Sequence, residues 1–386
     1  MKRTVYDEDH EAFRQTIRSF IEAEVTPHYD DWIKAGIAPK DFYLKLGELG
    51  VFGIQVPEEF GGAGIESHKF MAVQTEETTR AGVTFGGSGA HVLLALPYLK
   101  MLGTDEQKKR YFPTFVSGEQ MWALAMTEPG AGSDLAGMRT TARKSDDGSH
   151  YILNGAKTFI TGGVNADRVI VCARTASADE GSDRRFGISL FAVDTSLPGY
   201  TVGRKLDKLG LKVSDTAELS FVDVQVPAED LLGEENKGFY YLGSNLPSER
   251  WGIAHDAYAQ AAAAIRFAQE YVGQRSIFGK SVASFQNTKF ELAACKAEVD
   301  AAEAVVDRAL EALDAHDLTP AEAASAKLFC TEVAHRVIDR CLQLHGGYGF
   351  INEYPIARLY ADNRVNRIYG GTSEVMKTII AKDMGL

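Results

Sequence analysis

Between Glu8 and Val25 the apolar residues Phe13, Ile17, Phe20, Ile21 and Val25 recur at i, i+4, i+7, i+8 and i+12. That spacing is one stripe of an amphipathic helix, which Pro27 stops. Further helices are predicted over Pro39–Leu49 and Ala90–Leu102, with Pro57 and the Gly61, Gly62, Gly64 cluster as the loop between them. Near residue 122 the pattern changes to short β-branched runs, Arg168–Cys172 and Ile188–Val193, separated by Gly, Ser and Asp. The clearest predicted strand is Ala217–Val226, where Val222, Val224 and Val226 alternate with Asp223 and Gln225 before Pro227 closes it. After Gly233 the helical period returns in three long alanine-rich segments, Ile253–Val272, Phe290–Leu313 and Ala321–Leu344. The third has a clean start: Thr319 as cap, Pro320 at the first helical position and Glu322 closing a capping box. The order predicts a mainly α chain with a central antiparallel β domain. Its parts are a helical domain over 1–121, a β domain over 122–235 and a helical bundle over 236–386.

Composition and charge act mainly by exclusion. The 386 residues suit two or three domains at roughly 150 residues each, and 45% hydrophobic with 24% charged residues describes an ordinary globular chain. Lys and Arg number 41 against 53 Asp and Glu, a net charge of −12, which argues against nucleic acid and against anionic membrane surfaces as partners. The four cysteines, 172, 295, 330 and 341, include no CxxC pair and no histidine at ligand spacing, so no metal site or disulfide framework is expected. The opening residues turn acidic at once without an apolar run, and no stretch reaches the ~18 apolar residues of a membrane span. A cytoplasmic protein is expected.

Four segments carry candidate chemistry. Met126-Thr-Glu-Pro-Gly-Ala-Gly-Ser-Asp134 opens the β domain with small residues that let backbone N–H groups approach a ligand, though alone it is also an ordinary tight turn. No GxGxxG follows a strand, so a Rossmann domain is not expected. Leu153–Thr161 predicts a hairpin turn at Asn154-Gly155, followed by Phe159 and Thr161 on one strand face that could hold a flat ring and bond its edge. Gln343–Phe350 and Ile368–Glu374 each place a Gly-Gly pair beside a helix end, where caps are common and phosphate contacts possible.

Together with Arg275-Ser-Ile-Phe-Gly-Lys280, these motifs in this order and spacing resemble the acyl-CoA dehydrogenase family of flavoproteins over essentially the whole chain. Tyr369-Gly-Gly-Thr-Ser-Glu-Val-Met-Lys377 and Leu246-Pro-Ser-Glu-Arg250 look like its long-chain branch. The resemblance implies a helical N-terminal domain, a β-barrel-like middle domain, a C-terminal four-helix bundle, and a homotetramer with one FAD per subunit. It implies that Met126, Thr127 and Ser133 lie along the flavin, that Phe159 and Thr161 cover its ring and N5 edge, and that Ser133 also meets substrate. Many family members have Trp where this chain has Phe159. Arg275, Phe278 and Gln286 would reach the FAD of a neighbouring subunit, Gln343, Gly346 and Gly347 would cradle the pyrophosphate, and Thr372 and Glu374 would contact the adenosine.

The implied activity is α,β-dehydrogenation of an acyl-CoA to a trans-2-enoyl-CoA, in fatty-acid β-oxidation or in branched amino-acid or terpenoid degradation, with electrons passed to an electron-transfer flavoprotein. Such chemistry needs a desolvated carboxylate to remove the α-proton. In the commonest family members that carboxylate follows the tyrosine of the last motif, where this chain has Gly370. The long-chain and isovaleryl branches place it on an earlier helix before an arginine, which here makes Glu249 the base and Arg250 either its partner beside the substrate or a structural neighbour. The backbone N–H of Gly370 would then polarise the thioester carbonyl. Phe85, Val92 and Trp251 are expected in the acyl-pocket wall. An oxygen-using flavin oxidase or monooxygenase, and a non-catalytic acyl-CoA-binding scaffold, remain as alternatives.

Overall fold

A computed structural model describes residues 3–176 and 183–386. Helix α1 (Glu8–Phe20) is capped by Asp7, whose carboxylate accepts from the Asp9 and His10 N–H groups, and runs on through a π turn to Val25. Helices α2 (Tyr29–Ala35), α3 (Lys40–Glu48), α4 (Lys69–Ala81), α5 (Leu96–Leu102, entered through a π turn from Ala90) and α6 (Asp105–Ser117) complete the N-terminal layer. The apolar faces of α1, α2 and α3 meet in a core that includes Ile17, Ile21, Val25, Phe42, Leu46 and Phe85.

The strands are β1 (Trp122–Ala125), β2 (Thr141–Lys144), β3 (His150–Thr161), β4 (Arg168–Arg174), β5 (Ile188–Asp194), β6 (Tyr200–Lys205), β7 (Thr216–Pro227) and the short β8 (Leu231–Leu232). They form one sheet in the order β6-β7-β3-β2-β4-β5-β8, with β1 also on β4. The expectation of an antiparallel domain is corrected in part, because β1 runs parallel to β4 and β2 meets β4 in a parallel bridge. The turn expected at Asn154-Gly155 is also corrected: both residues lie inside β3, and the chain reverses instead at Asp146-Asp147-Gly148. Asn154 bonds Asp223 twice at 2.9 Å across a bulge of β7, and Thr140 lies too close to Gly155 for any side chain there. That bulge shifts the phase of β7, so Val222 faces solvent while Phe221, Val224 and Val226 face inward; simple alternation had put Val222 with the last two.

The third layer is helical. Helix α7 (Gly238–Gln274) is 37 residues long and carries Pro247 in its interior. Helices α8 (Gln286–Asp314) and α9 (Pro320–Gln343) pack against it around Ala264, Ala268, Val299, Val306, Val333 and Val337, followed by α10 (Pro355–Asn363) and α11 (Ser373–Asp383). Alanine on the facing sides allows close helix approach. A separate core under α5, α6 and the sheet includes Leu242, which ties the start of α7 to both other layers. The Thr319 capping box forms as expected, the hydroxyl accepting from Glu322 N–H at 3.2 Å and the Glu322 carboxylate accepting from Thr319 N–H at 3.0 Å. Thr319→Ala should lower stability by about 1 kcal/mol, read as a shifted urea midpoint with unchanged slope; an unchanged midpoint would mean the cap contributes nothing.

Candidate active site

Glu249 sits about three turns into α7 and is 6% exposed. Pro247, two residues before it, removes a backbone donor from the preceding turn. The Glu249 carboxylate accepts a bond from Asn245 Nδ2 at 3.2 Å and a long one from the Tyr98 hydroxyl of α5 at 3.4 Å. Burial pushes its carboxyl up to about 7, against those two bonds and the charge of Arg250, which favour ionisation. A carboxylate that titrates near neutrality is suited to proton abstraction.

Arg250 meets Gly370 through the backbone, a contact the sequence did not indicate. The Arg250 side chain, 5% exposed, donates Nε–H to the Gly370 carbonyl at 3.3 Å. Gly370 and Gly371 both have positive φ, +62° and +97°, a conformation that favours glycine. A Cβ at 370 would run into Ile253 Cδ1 of α7, so the loop has no room for a side chain unless Ile253 moves. From α9, the buried Lys327 donates to the Gly371 carbonyl. Nothing in the local sequence marked Lys327, because its role depends on a loop 44 residues away.

On the sheet side, Met126 and Thr127 are fastened to the Phe159 strand. Thr158 N–H donates to Thr127 O at 2.9 Å, and Lys157 Nζ, whose side chain has no exposure, donates to Met126 O at 3.0 Å and Glu128 Oε1 at 2.9 Å. Glu128 also accepts the N–H groups of Arg139 at 2.6 Å and Thr140 at 2.9 Å. Burial raises the Glu128 carboxyl, but Lys157 and these bonds outweigh it and hold it below the usual range. The Glu128–Lys157 pair lies inside two motifs yet was not singled out from them. Beyond it Phe159 has φ +60° and is 67% exposed, a strained aromatic turned outward at a bulge. Ser133, Gly130 and Gly132 face open space in the neighbouring loop.

The remaining residues gather elsewhere. Arg275 is the C-cap of α7, about 39 Å along the helix from Glu249, followed by the 92% exposed Phe278 and by Gln286 at the start of α8. The Arg275 guanidinium lies over the Tyr348 ring at 5.7 Å, which brings this end of α7 to Gln343, Gly346 and Gly347 at the end of α9. No atom lies within 4 Å of a Cβ placed on Gly346 or Gly347. Thr372 caps α11 by accepting Val375 N–H at 3.3 Å, with Glu374 exposed in the first turn. Of the expected pocket wall, Val92 lines a cleft with Val51, Phe52, Ile54, Met71 and Leu96. Phe85 and Trp251 are instead core residues, Phe85 against Phe20 and Phe42, and Trp251 bonded through its indole N–H to Val306 O at 3.2 Å. Among the described residues no cluster of His, Cys, Asp or Glu is placed to hold a metal, and no helix is long and apolar enough to cross a membrane.

These features suit FAD: open glycine backbone fits a pyrophosphate, an exposed Arg offsets its charge, and an outward aromatic offers a surface for a ring. Models of the acyl-CoA dehydrogenase N-terminal, middle and C-terminal domains match residues 7–119, 123–224 and 236–385. The mitochondrial long-chain specific acyl-CoA dehydrogenase of Sus scrofa is 44% identical over 99% of this chain and 88% of its own. A 3-(aryl)acrylate reductase of Clostridium sporogenes is 40% identical over 98% of this chain and 99% of its own. Among solved structures, the acyl-CoA dehydrogenase of Geobacillus kaustophilus superposes with a TM-score of 0.95 at 45% identity over 99% of both chains. That of Bacillus anthracis complexed with FAD gives 0.89 at 32% identity, covering all of this chain and 69% of the other. Helical, β and helical layers, a buried carboxylate and three matching domain models converge: the chain belongs to the acyl-CoA dehydrogenase family of FAD-binding oxidoreductases.

Proposed function

We propose that this chain oxidises an acyl-CoA thioester to a trans-2-enoyl-CoA, with Glu249 as the base. The observation that carries the reading is the buried Glu249 carboxyl, raised to about 7, on the residue before an arginine that holds Gly370. Glu249 takes the α-proton, and its desolvation makes it a stronger base than an exposed carboxylate. The Gly370 N–H donates to the thioester carbonyl, which acidifies that proton, and Arg250 fixes the peptide that follows. Bound FAD would supply the acceptor for the β-hydride and a relay to an electron-transfer flavoprotein. Met126, Thr127, Ser133, Phe159 and Thr161 would hold its ring and Thr372 and Glu374 its adenosine, with Ser133 also at the thioester.

Arg275, Phe278, Gln286, Gln343, Gly346 and Gly347 would serve the FAD of a second subunit in a homotetramer. Their distance along α7 from Glu249 and the exposure of Phe278 support that division. The same groups can run the reverse reduction, the direction named for the Clostridium relative.

The test is anaerobic addition of palmitoyl-CoA, octanoyl-CoA and isovaleryl-CoA to the purified yellow protein. Bleaching of the flavin band at about 450 nm is expected, and the fastest thioester identifies the acyl class. A flavin that no thioester bleaches would overturn the reading, and peroxide formation in air at the bleaching rate would favour an oxidase.

A further inference from the structure

Consecutive glycines are the least restrained backbone a chain can have, yet Gly370 must aim its N–H accurately at a thioester oxygen. Two buried cations restrain it. Arg250 from α7 donates to the Gly370 carbonyl at 3.3 Å and Lys327 from α9 donates to the Gly371 carbonyl, so successive peptides are gripped from two helices. On the other side, the Tyr369 hydroxyl donates to Asn366 Oδ1 at 2.6 Å.

The Arg250 charge favours ionisation of the neighbouring Glu249, whereas no carboxylate acts on Lys327. Among the described residues neither Arg250 nor Lys327 has an ion-pair partner, and both are at most 5% exposed. Burial pushes the Lys327 amine down to about 8, and the nearby Arg250 charge adds to that shift. Two adjacent buried cations without a contacting carboxylate cost stability, because each is desolvated and they repel. Such an arrangement makes sense where negative charge arrives during a reaction.

On the reading of Glu249 as base, we propose that Lys327 is a positioning residue for α-proton removal. With Arg250 it locks the Gly370–Gly371 backbone and lends positive potential to the thioester oxygen as charge builds there. In that step the α-C–H bond breaks, the proton goes to the Glu249 carboxylate, and the electron pair moves onto the carbonyl oxygen.

The test uses holoenzyme carrying Lys327→Gln, Lys327→Met or Lys327→Arg. The probe is a 3-thia-acyl-CoA, which has exchangeable α-protons but sulfur at the β position and so no hydride to give. Exchange of its α-protons in D2O is followed by mass spectrometry beside anaerobic flavin bleaching by an acyl-CoA. Lys327→Gln, which keeps a donor without the charge, should slow both on the order of 10²-fold. Thioester affinity should change by no more than about threefold. Lys327→Arg should recover to within about tenfold of wild type. Lys327→Met, neutral and of similar length, replaces Lys327→Gln should that variant fold poorly.

Wild-type exchange in either neutral variant overturns the proposal. So does a loss matched by weaker thioester binding and not restored by Arg. Glu249→Gln is the control for the underlying reading: if it too exchanges at the wild-type rate, the base assignment fails instead.

Discussion

Glu249→Gln is expected to abolish most turnover while leaving the protein folded, yellow and able to bind acyl-CoA. Glutamine preserves volume and an oxygen that can accept from Asn245 and Tyr98, so the local bonds survive and only the base is lost. A general base contributes roughly 10²- to 10⁴-fold, and flavin reduction by acyl-CoA should fall by that factor. The wild-type reduction rate should rise with pH through about 7, because the carboxyl must lose its proton to act and burial has lifted it there. Rapid anaerobic mixing from pH 5.5 to 9 would measure this at about tenfold per unit below the inflection. A variant that reduces its flavin at the wild-type rate, or a profile flat across neutrality, would remove Glu249 from the reaction.

Lys157→Met should have the largest effect on stability. Its amine is fully buried and bridges Glu128 and the Met126 carbonyl, so removing it strands a carboxylate that retains only backbone N–H partners. Breaking a buried pair from one side costs about 3–5 kcal/mol, and for a domain of this size that lowers Tm on the order of 10 °C. Because the same amine fastens the Met126–Asp134 loop to the Phe159 strand, FAD should also be shed during gel filtration. The double variant Glu128→Gln/Lys157→Met removes the stranded charge and should recover roughly half of the lost stability. If the single variant melts with the wild type and keeps its flavin, the pair is not what holds that loop.

Both residues sit inside motifs legible in the sequence, yet only Glu249 was assigned a role from them. The position of Glu249 rests on the family resemblance, which sets a glycine at 370 where most members have a carboxylate. The pairings of Lys157 with Glu128 and of Lys327 with Gly371 depend on tertiary contacts, which periodicity does not carry. The helices were legible because amphipathic stripes and the Thr319 cap are local signals. Asn154-Gly155 misled because that dipeptide satisfies a bulge as well as a turn, and only the partner strand distinguishes them. Val222 failed for the same reason: one extra residue in β7 changes which face each later side chain takes. The Gly370 and Gly371 conformations agree with the sequence, since both glycines occupy positive φ.

Helix α7 has a consequence for how the gene can vary. It carries Glu249 about a third of the way along and ends at Gln274, with Arg275 as its cap and unbroken helix between Glu249 and Gln274. Each residue in an α-helix advances the chain by about 1.5 Å and turns it by about 100°. A single-codon insertion or deletion between those points would therefore turn Glu249 away from Tyr98 of α5 or swing Arg275 off its face, whatever residue was added. Substitutions along that stretch can be judged one by one, but its length is fixed. Relatives should differ in length in the loops on either side of this rod and never within it.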